Sequence, residues 1–337
     1  MAGEIAARVY RGEAVEAVHR VSVAVVDAAG KLTHTLGDPD HVTMARSAIK
    51  PFQALPLILT GAADHFGFSA EQLSIMCGSH NGTDEHRALV VSILERIGCT
   101  SDDLQCGAHL PIFMRVNELY PSDGEDRDPA RNNCSGKHAG FLALAKFLKD
   151  DIKDYLNPEC KSQEMVREMV GRMTGMRPGM ITVSVDGCSA PNFSVTPYHL
   201  ALGFRRLACG QGDEPEVSRA LVRVKAAMSE HPRMYSGEKR FDYDLMRSFP
   251  GNVVCKVGAE ALEGIGFSDP PVGIAVKVHD GNTRALWPIC VEVLRQLGLV
   301  AKAEEFPYLV SYVRPEVLNA RRIVTGHVET GFQLRKV

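Results

Sequence analysis

The sequence predicts an α+β fold: an antiparallel sheet built from N- and C-terminal strands, covered by helices, with a helical middle. Strand signals gather at the two ends of the chain. The middle carries apolar residues at helical spacing behind capping residues. Gly and Asp-Gly turns follow the strand runs, as hairpins require.

Taken in order, "VSVAVVDAAGKLTHTLG" (21–37) has β-rich flanks around Ala28-Ala29-Gly30 and predicts a hairpin. In "MARSAIKPFQALPLI", which begins at Met44, Pro51 suits a first helical turn, where orphan N–H groups are to spare, so a helix is expected to begin near Ser47. "TDEHRALVVSILERIG" offers Thr83 as N-cap and Asp84 and Glu85 in the first turn. Leu89, Val90, Ile93, Leu94 and Ile97 form its apolar face, and Gly98 suits the stop. The wet stretch "YPSDGEDRDPARNN" (120–133) reads as a surface loop. "GKHAGFLALAKFLKD" and "EVSRALVRVKAAMSEH" read as helices, and "MITVSVD" (180–186) and "NVVCKVG" (252–258) as strands. "PVGIAVKVHDGNTRALW" alternates through Ile274, Val276 and Val278 before Asp280-Gly281, a second hairpin signal, and "ARRIVTGHVETG" offers a last strand. With no linker or repeat, residues 1–337 are expected to form one domain of two lobes, the helical lobe spanning roughly 47–250.

Composition narrows the function. At 337 residues and 45% hydrophobic, the chain can bury a large core. A net charge of -3 and a pI near 6.5 give no electrostatic reason for a nucleic-acid or anionic-membrane partner. Charges interrupt "MAGEIAARVYRGEAVE", so no signal-peptide core is expected, and no apolar run reaches the ~18 residues of a bilayer span. Nine cysteines, an odd number without C-x-x-C, point to a reducing cytoplasm and free thiols.

Ser47 stands three residues before Lys50, one helical turn, the spacing at which a lysine can serve a serine nucleophile. A capping or surface serine gives the same letters, and Ser236 to Lys239 is a second S-x-x-K. Ser79-His80-Asn81 is the one S-x-N and Lys256-Val257-Gly258 the one K-x-G. They follow Ser47 in the order found in penicillin-recognising serine acyl-enzymes. Two ammonium groups in one site disfavour each other's charge, which would make a lysine a base at neutral pH. From residue chemistry alone, Cys134, His138 and Cys188 are the zinc candidates; two buried cysteines and a loop histidine are the alternative.

The segments "RSAIKPFQALPL", "CGSHNGTDEHR", "CGAHLP", "NNCSGKHAGFLA", "DGCSAPNFSVTPYHLALGF", "HPRMYSGEKRFD" and "KVGAE" together resemble the Rhizobium etli-type (type 3) L-asparaginases, from about Arg46 to Glu260. The resemblance implies a serine β-lactamase/glutaminase-like fold, a homodimer, and hydrolysis of L-asparagine to L-aspartate and ammonia through a serine. Ser47 and Lys50 match the family's first serine–lysine pair, and Ser79 and Lys256 its second. Cys134, Lys137 and Cys188 match a zinc site with a lysine ligand, in place of His138.

On this reading neutral Lys50 takes the Ser47 proton, and the N–H groups of Ser47 and Ala259 hold the oxyanion. Arg46 is expected to grip the substrate carboxylate and Asp186 its ammonium, with His80 and His138 lining the pocket. A glutaminase or other serine amidase is the nearest rival, because one methylene discriminates by only about 1–3 kcal/mol. A non-enzymatic, zinc-stabilised binding protein is the other.

Overall fold

The computed structural model describes residues 3–119, 127–302 and 305–337. Twelve strands are found among them: β1 (Glu4–Arg11), β2 (Ala14–Val26), β3 (Leu32–Leu36), β4 (Thr43–Met44), β5 (Val183–Val185), β6 (Pro191–Val195), β7 (Val253–Gly258), β8 (Leu262–Ser268), β9 (Pro271–Val278), β10 (Glu316–Leu318), β11 (Val324–Thr330) and β12 (Arg335–Lys336). The main sheet runs β10-β11-β1-β2-β9-β8-β7, with β3 beside the second half of β2 and β12 beside β3. Every pairing is antiparallel, and the N-terminal pair β1-β2 lies between strands from the C-terminal part of the chain, so the predicted α+β class holds.

The 21–37 hairpin forms as predicted. Asp27 anchors its turn by accepting the Ala29 and Lys31 N–H groups, and Gly30 supplies the left-handed φ of 79°. Val21 to Val26 are buried on both faces because helices cover both sides of the sheet. Pro197–Cys209 packs on β2, β8 and β9, and Thr283–Gln296 on β1, β9 and β11. Gly264 lets the first come close, since a Cβ there would stand 2.2 Å from the Phe204 ring.

Asp280-Gly281 does not begin a hairpin. The Asn282 side chain accepts the Arg284 N–H and caps the Thr283–Gln296 helix, so the turn delivers a helix back onto the sheet. The 180–186 strand is trimmed to β5. It pairs with β6, which also pairs with β4, in a small separate sheet. Residues 120–126 of the expected loop lie outside the described residues, and Asp128 caps a turn at Pro129–Arg131.

In the helical lobe Thr83 caps Asp84–Arg96 with its side chain on the His86 N–H, and Gly98 follows at a φ of 65°. Ser135–Leu148 is the central helix, buried from Ser135 through Ala145. Gly136 brings it against Ala70–Cys77, since a Cβ there would meet Ile75 O at 2.4 Å. None of the described helices is long and apolar enough to cross a membrane.

Candidate active site

Three remote segments meet at the small sheet. β4 leads directly into the Arg46–Ile49 turn, which carries Ser47. β6 fixes that turn: Ala45 N–H donates to Phe193 O at 2.8 Å, and Arg46 N–H to the Asn192 side chain at 2.9 Å. The turn between β5 and β6 carries Asp186 and Cys188 and closes through Asp186 N–H to Ala190 O. The end of β7 packs on the serine turn so closely that a Cβ on Gly258 would stand 2.7 Å from Ala45 O. Side chains alternate along a strand, so Lys256 leaves β7 on the same face as Gly258, toward the serine turn.

Ser47 does not begin a regular helix. It sits in a 3-10 turn before the four-residue helix Lys50–Gln53, with Pro51 in the first turn of that helix and Arg46 at a φ of 50°. A helix this short supplies little dipole, so electrostatic help at Ser47 comes from its local N–H groups. The N–H groups of Ser47 and Ala259 donate to no protein acceptor among the described residues.

Ser47 and Ser79 line one cleft of about 630 Å³, together with Val257, Gly258 and Ala259. Its rim includes Arg115, Lys239 and Arg240. Lys50 and Lys256 lie under the floor, 1% and 0% exposed. Lys50 Nζ donates to Gly78 O at 2.8 Å, Ser79 Oγ at 2.9 Å and Cys134 Sγ at 3.2 Å. No hydrogen bond joins it to Ser47 among the described residues. With Asn133 O also at 3.4 Å, these acceptors take up the buried amine, so the expected contact of Lys50 with Ser47 is replaced by one with Ser79.

Lys256 is the lysine whose charge is disfavoured. Burial pushes its pKa down to about 8, Lys50 and Arg240 push the same way, and Asp242 opposes them. Its Nζ donates to Val257 O at 2.7 Å and stands 3.5 Å from Asp242 Oδ2. The Ser79 loop is tied to the segment before Asp242: Ser79 N–H donates to Tyr235 O at 3.0 Å, and Arg240 donates to Ser79 O at 3.1 Å. Gly78 is required there, because a Cβ would meet Tyr235 O at 2.1 Å.

Arg46 and Asp186 are ion-paired with each other. Burial opposes the Asp186 charge, but Lys137 and Arg46 outweigh it and hold the carboxyl below its ordinary value. His80 and His138 do not line the cleft, which corrects the expectation for both. His80 is interior, its Nε2 3.0 Å from Ser135 Oγ and its Nδ1 accepting the Gly82 N–H. His138 Nδ1 lies 2.7 Å from the Tyr155 hydroxyl, which already accepts the Gln105 N–H and therefore donates to the ring. Burial, with Lys137 and Lys50 nearby, keeps the His138 imidazole neutral.

Cys134, Lys137 and Cys188 converge beside this cleft. Cys134 caps the central helix, Lys137 follows one turn later, and Lys137 Nζ is 3.0 Å from Cys188 Sγ. A hydrogen bond from Cys188 holds the Cys134 thiol well below its ordinary value. Burial opposes that shift, while Lys50 and Lys137 reinforce it; Cys188 is raised in turn. The set fits a zinc ion. Ligands at about 2.1 Å (N) and 2.3 Å (S) in a tetrahedron stand about 3.6 Å apart, so the pair needs only a small opening. Thiolate character is already present at Cys134, and the metal would displace the Lys137 proton. His138 is not part of the set: among the described residues the one cluster of three His, Cys, Asp or Glu donors is Asp242, Cys255 and Glu263. Tyr235, Arg240, Asp242 and Glu263 had no role in the sequence reading, although the first three lie inside "HPRMYSGEKRFD".

The sequence model of the L-asparaginase II family matches residues 7–330. No curated protein matches the sequence. Among solved structures, Mglu in its native form aligns at 17% identity and a TM-score of 0.42, covering 84% of this chain and 64% of that one. Mglu in 4.3 M NaCl aligns at 17% and 0.45, over 83% and 61%. Mglu in its glutamate form aligns at 18% and 0.43, over 83% and 61%. The chain spans less than two thirds of the length of these structures, and likenesses this loose add nothing to the architecture.

Proposed function

Because this chain belongs to the L-asparaginase II family and is an amidohydrolase of that type, we propose that it hydrolyses L-asparagine to L-aspartate and ammonia through an acyl-enzyme on Ser47. The observation that supports this most is the meeting of Ser47, Ser79 and Ala259 on one cleft above two buried lysines.

Ser47 Oγ attacks the side-chain carboxamide carbon, and its proton passes by way of Ser79 to neutral Lys256. Lys50 fixes Ser79 through its hydrogen bond. The Ser47 and Ala259 N–H groups receive the oxyanion. The carbon–nitrogen bond breaks as the stored proton returns to the departing nitrogen, and ammonia leaves. Water then adds to the aspartyl ester, gives its proton to the same base, and the Ser47 oxygen departs with a proton. Arg46 and Asp186 pair with each other and Arg46 opens on a neighbouring cavity with Lys277 and His279; a zwitterionic head group bound there would exchange that one ion pair for two. When bound, zinc on Cys134, Lys137 and Cys188 supplies a Lewis-acid contact that orients a polar group of the substrate.

The nine free cysteines suit a reducing cytoplasm. A homodimer follows from the family resemblance, and sedimentation equilibrium tests it. The function itself is tested by ammonia release from L-asparagine and L-glutamine, with mass spectrometry of quenched protein. An aspartyl adduct on the Ser47 peptide is expected. Faster turnover of glutamine, or an adduct elsewhere, overturns the assignment.

A further inference from the structure

Behind Lys256 lies a buried carboxylate pair that the reaction steps above do not use. Asp242, at the start of the Phe241–Ser248 helix, is 1% exposed, and Glu263 on β8 is 0% exposed. One oxygen of each and Cys255 Sγ lie within 4.8 Å of one another. Asp242 Oδ2 faces Lys256 Nζ at 3.5 Å and accepts the Val257 N–H at 3.2 Å, so it grips β7 at the catalytic lysine. Glu263 sits directly across the ladder from Val257. Asp242 Oδ1 and both Glu263 oxygens have no hydrogen-bond partner among the described residues.

Two ionised carboxylates this close, with three oxygens that no protein donor among the described residues reaches, would be costly in the interior. Lys256 meets the pair through Asp242. We propose that Asp242 is a positioning residue for Lys256, and that Glu263 is a neutral carboxylic acid sharing its proton with Asp242, so that the pair presents a single negative charge to the lysine. This rests on the reading of Lys256 as part of the acyl-transfer site.

The charged and titratable groups facing Lys256 are few. Lys50 approaches from its short helix, Arg240 and Asp242 from the segment entering Phe241–Ser248, and Glu263 from β8. The Tyr235 ring stands 5.7 Å from Nζ, and Cys255 is on the same strand. Asp242 is the carboxylate of the set that touches Lys256, Oδ2 to Nζ 3.5 Å. It limits how far burial and the two cations depress Lys256, and so keeps the lysine convertible between both forms near neutral pH. A shared proton explains why two buried acids are kept where one charge is needed. Burial first, then the Asp242 charge, keeps the Glu263 carboxyl well above its ordinary value, which agrees.

The test uses the full chain with lysines carbon-13 labelled at the ε position, the Lys256 resonance being assigned by its loss in Lys256→Met. Asp242→Asn is expected to lower the Lys256 midpoint by about one pH unit or more. Glu263→Gln replaces one neutral group by another and is expected to leave it in place. An Asp242→Asn midpoint equal to wild type overturns the positioning role. A Glu263→Gln midpoint lowered as much as that of Asp242→Asn overturns the shared proton. Should Asp242→Asn not fold, infrared spectra of the wild type decide: a protonated-carboxyl band at neutral pH, lost in Glu263→Gln, is expected, and its absence in wild type refutes the proposal. These readings do not use turnover, so they stand apart from any failure of the asparaginase reading.

Discussion

Lys50 reaches across the cleft floor to Ser79, Nζ to Oγ 2.9 Å, and leaves Ser47, one turn earlier in its own segment, without a hydrogen bond to it. The S-x-x-K spacing therefore delivers the lysine to the second serine and not to the first. Ser79 becomes an oriented hydroxyl, because an oxygen that accepts from Lys50 Nζ turns its own proton away from that amine, toward the cleft.

Ser47 and Ser79 separate by substitution. Ser47→Ala removes the nucleophile, and ammonia release should fall on the order of 1000-fold or more. Ser79→Ala removes a relay and should cost about 100-fold to 10,000-fold while leaving a slowly formed adduct on Ser47. Steady-state assays with quenched-protein mass spectrometry check both.

Lys50→Met should cost stability as well as turnover. It leaves Gly78 O without its side-chain partner and the Ser79 hydroxyl without its donor in a buried site. Each unsatisfied group costs about 1–3 kcal/mol. Urea unfolding of the variant should show a lower midpoint with an unchanged slope.

Gly78→Ala drives a methyl group against Tyr235 O and displaces the Ser79 loop. Overpacking of this kind costs about 1–3 kcal/mol. A fall in kcat larger than the rise in KM is expected, because the displaced group handles protons more than it binds substrate.

Lys256 sets the expected pH dependence. Its folded pKa of about 8 lies below the ordinary 10.5. Below pH 8 both folded and unfolded chains hold the proton, and the penalty of a buried charge is fully present. Between about 8 and 10.5 the unfolded chain holds more protons, so this group makes the protein more stable as pH rises. If neutral Lys256 is the base, kcat/KM should drop about tenfold per pH unit below 8, and Lys256→Met should abolish that limb.

Zinc should be found at one ion per chain by elemental analysis, with Cys188→Ala losing it. Chelation is expected to lower the melting temperature and raise KM more than it lowers kcat, consistent with a metal that orients substrate. Ammonia release and melting are to be measured on the same chelated sample.

The chain by itself determined a good deal. Local chemistry placed the Thr83 cap, the Asp27–Lys31 hairpin turn and the strands β7 and β9, because caps, turns and apolar strand runs are set by neighbours in sequence. The three short motifs, read in order, located Ser47, Ser79 and Lys256 on one cleft or beneath it. Sequence did not decide the turn at Asp280-Gly281, whose letters serve a hairpin or a helix start equally well; the bare face of the sheet selects the helix. Nor did it decide which serine Lys50 serves, that His80 and His138 are interior, or that Asp242 and Glu263 stand behind Lys256. Those are facts of segments far apart in sequence packed against each other. A proton's place depends on the distances and burial that such packing creates, and no spacing along the chain encodes them.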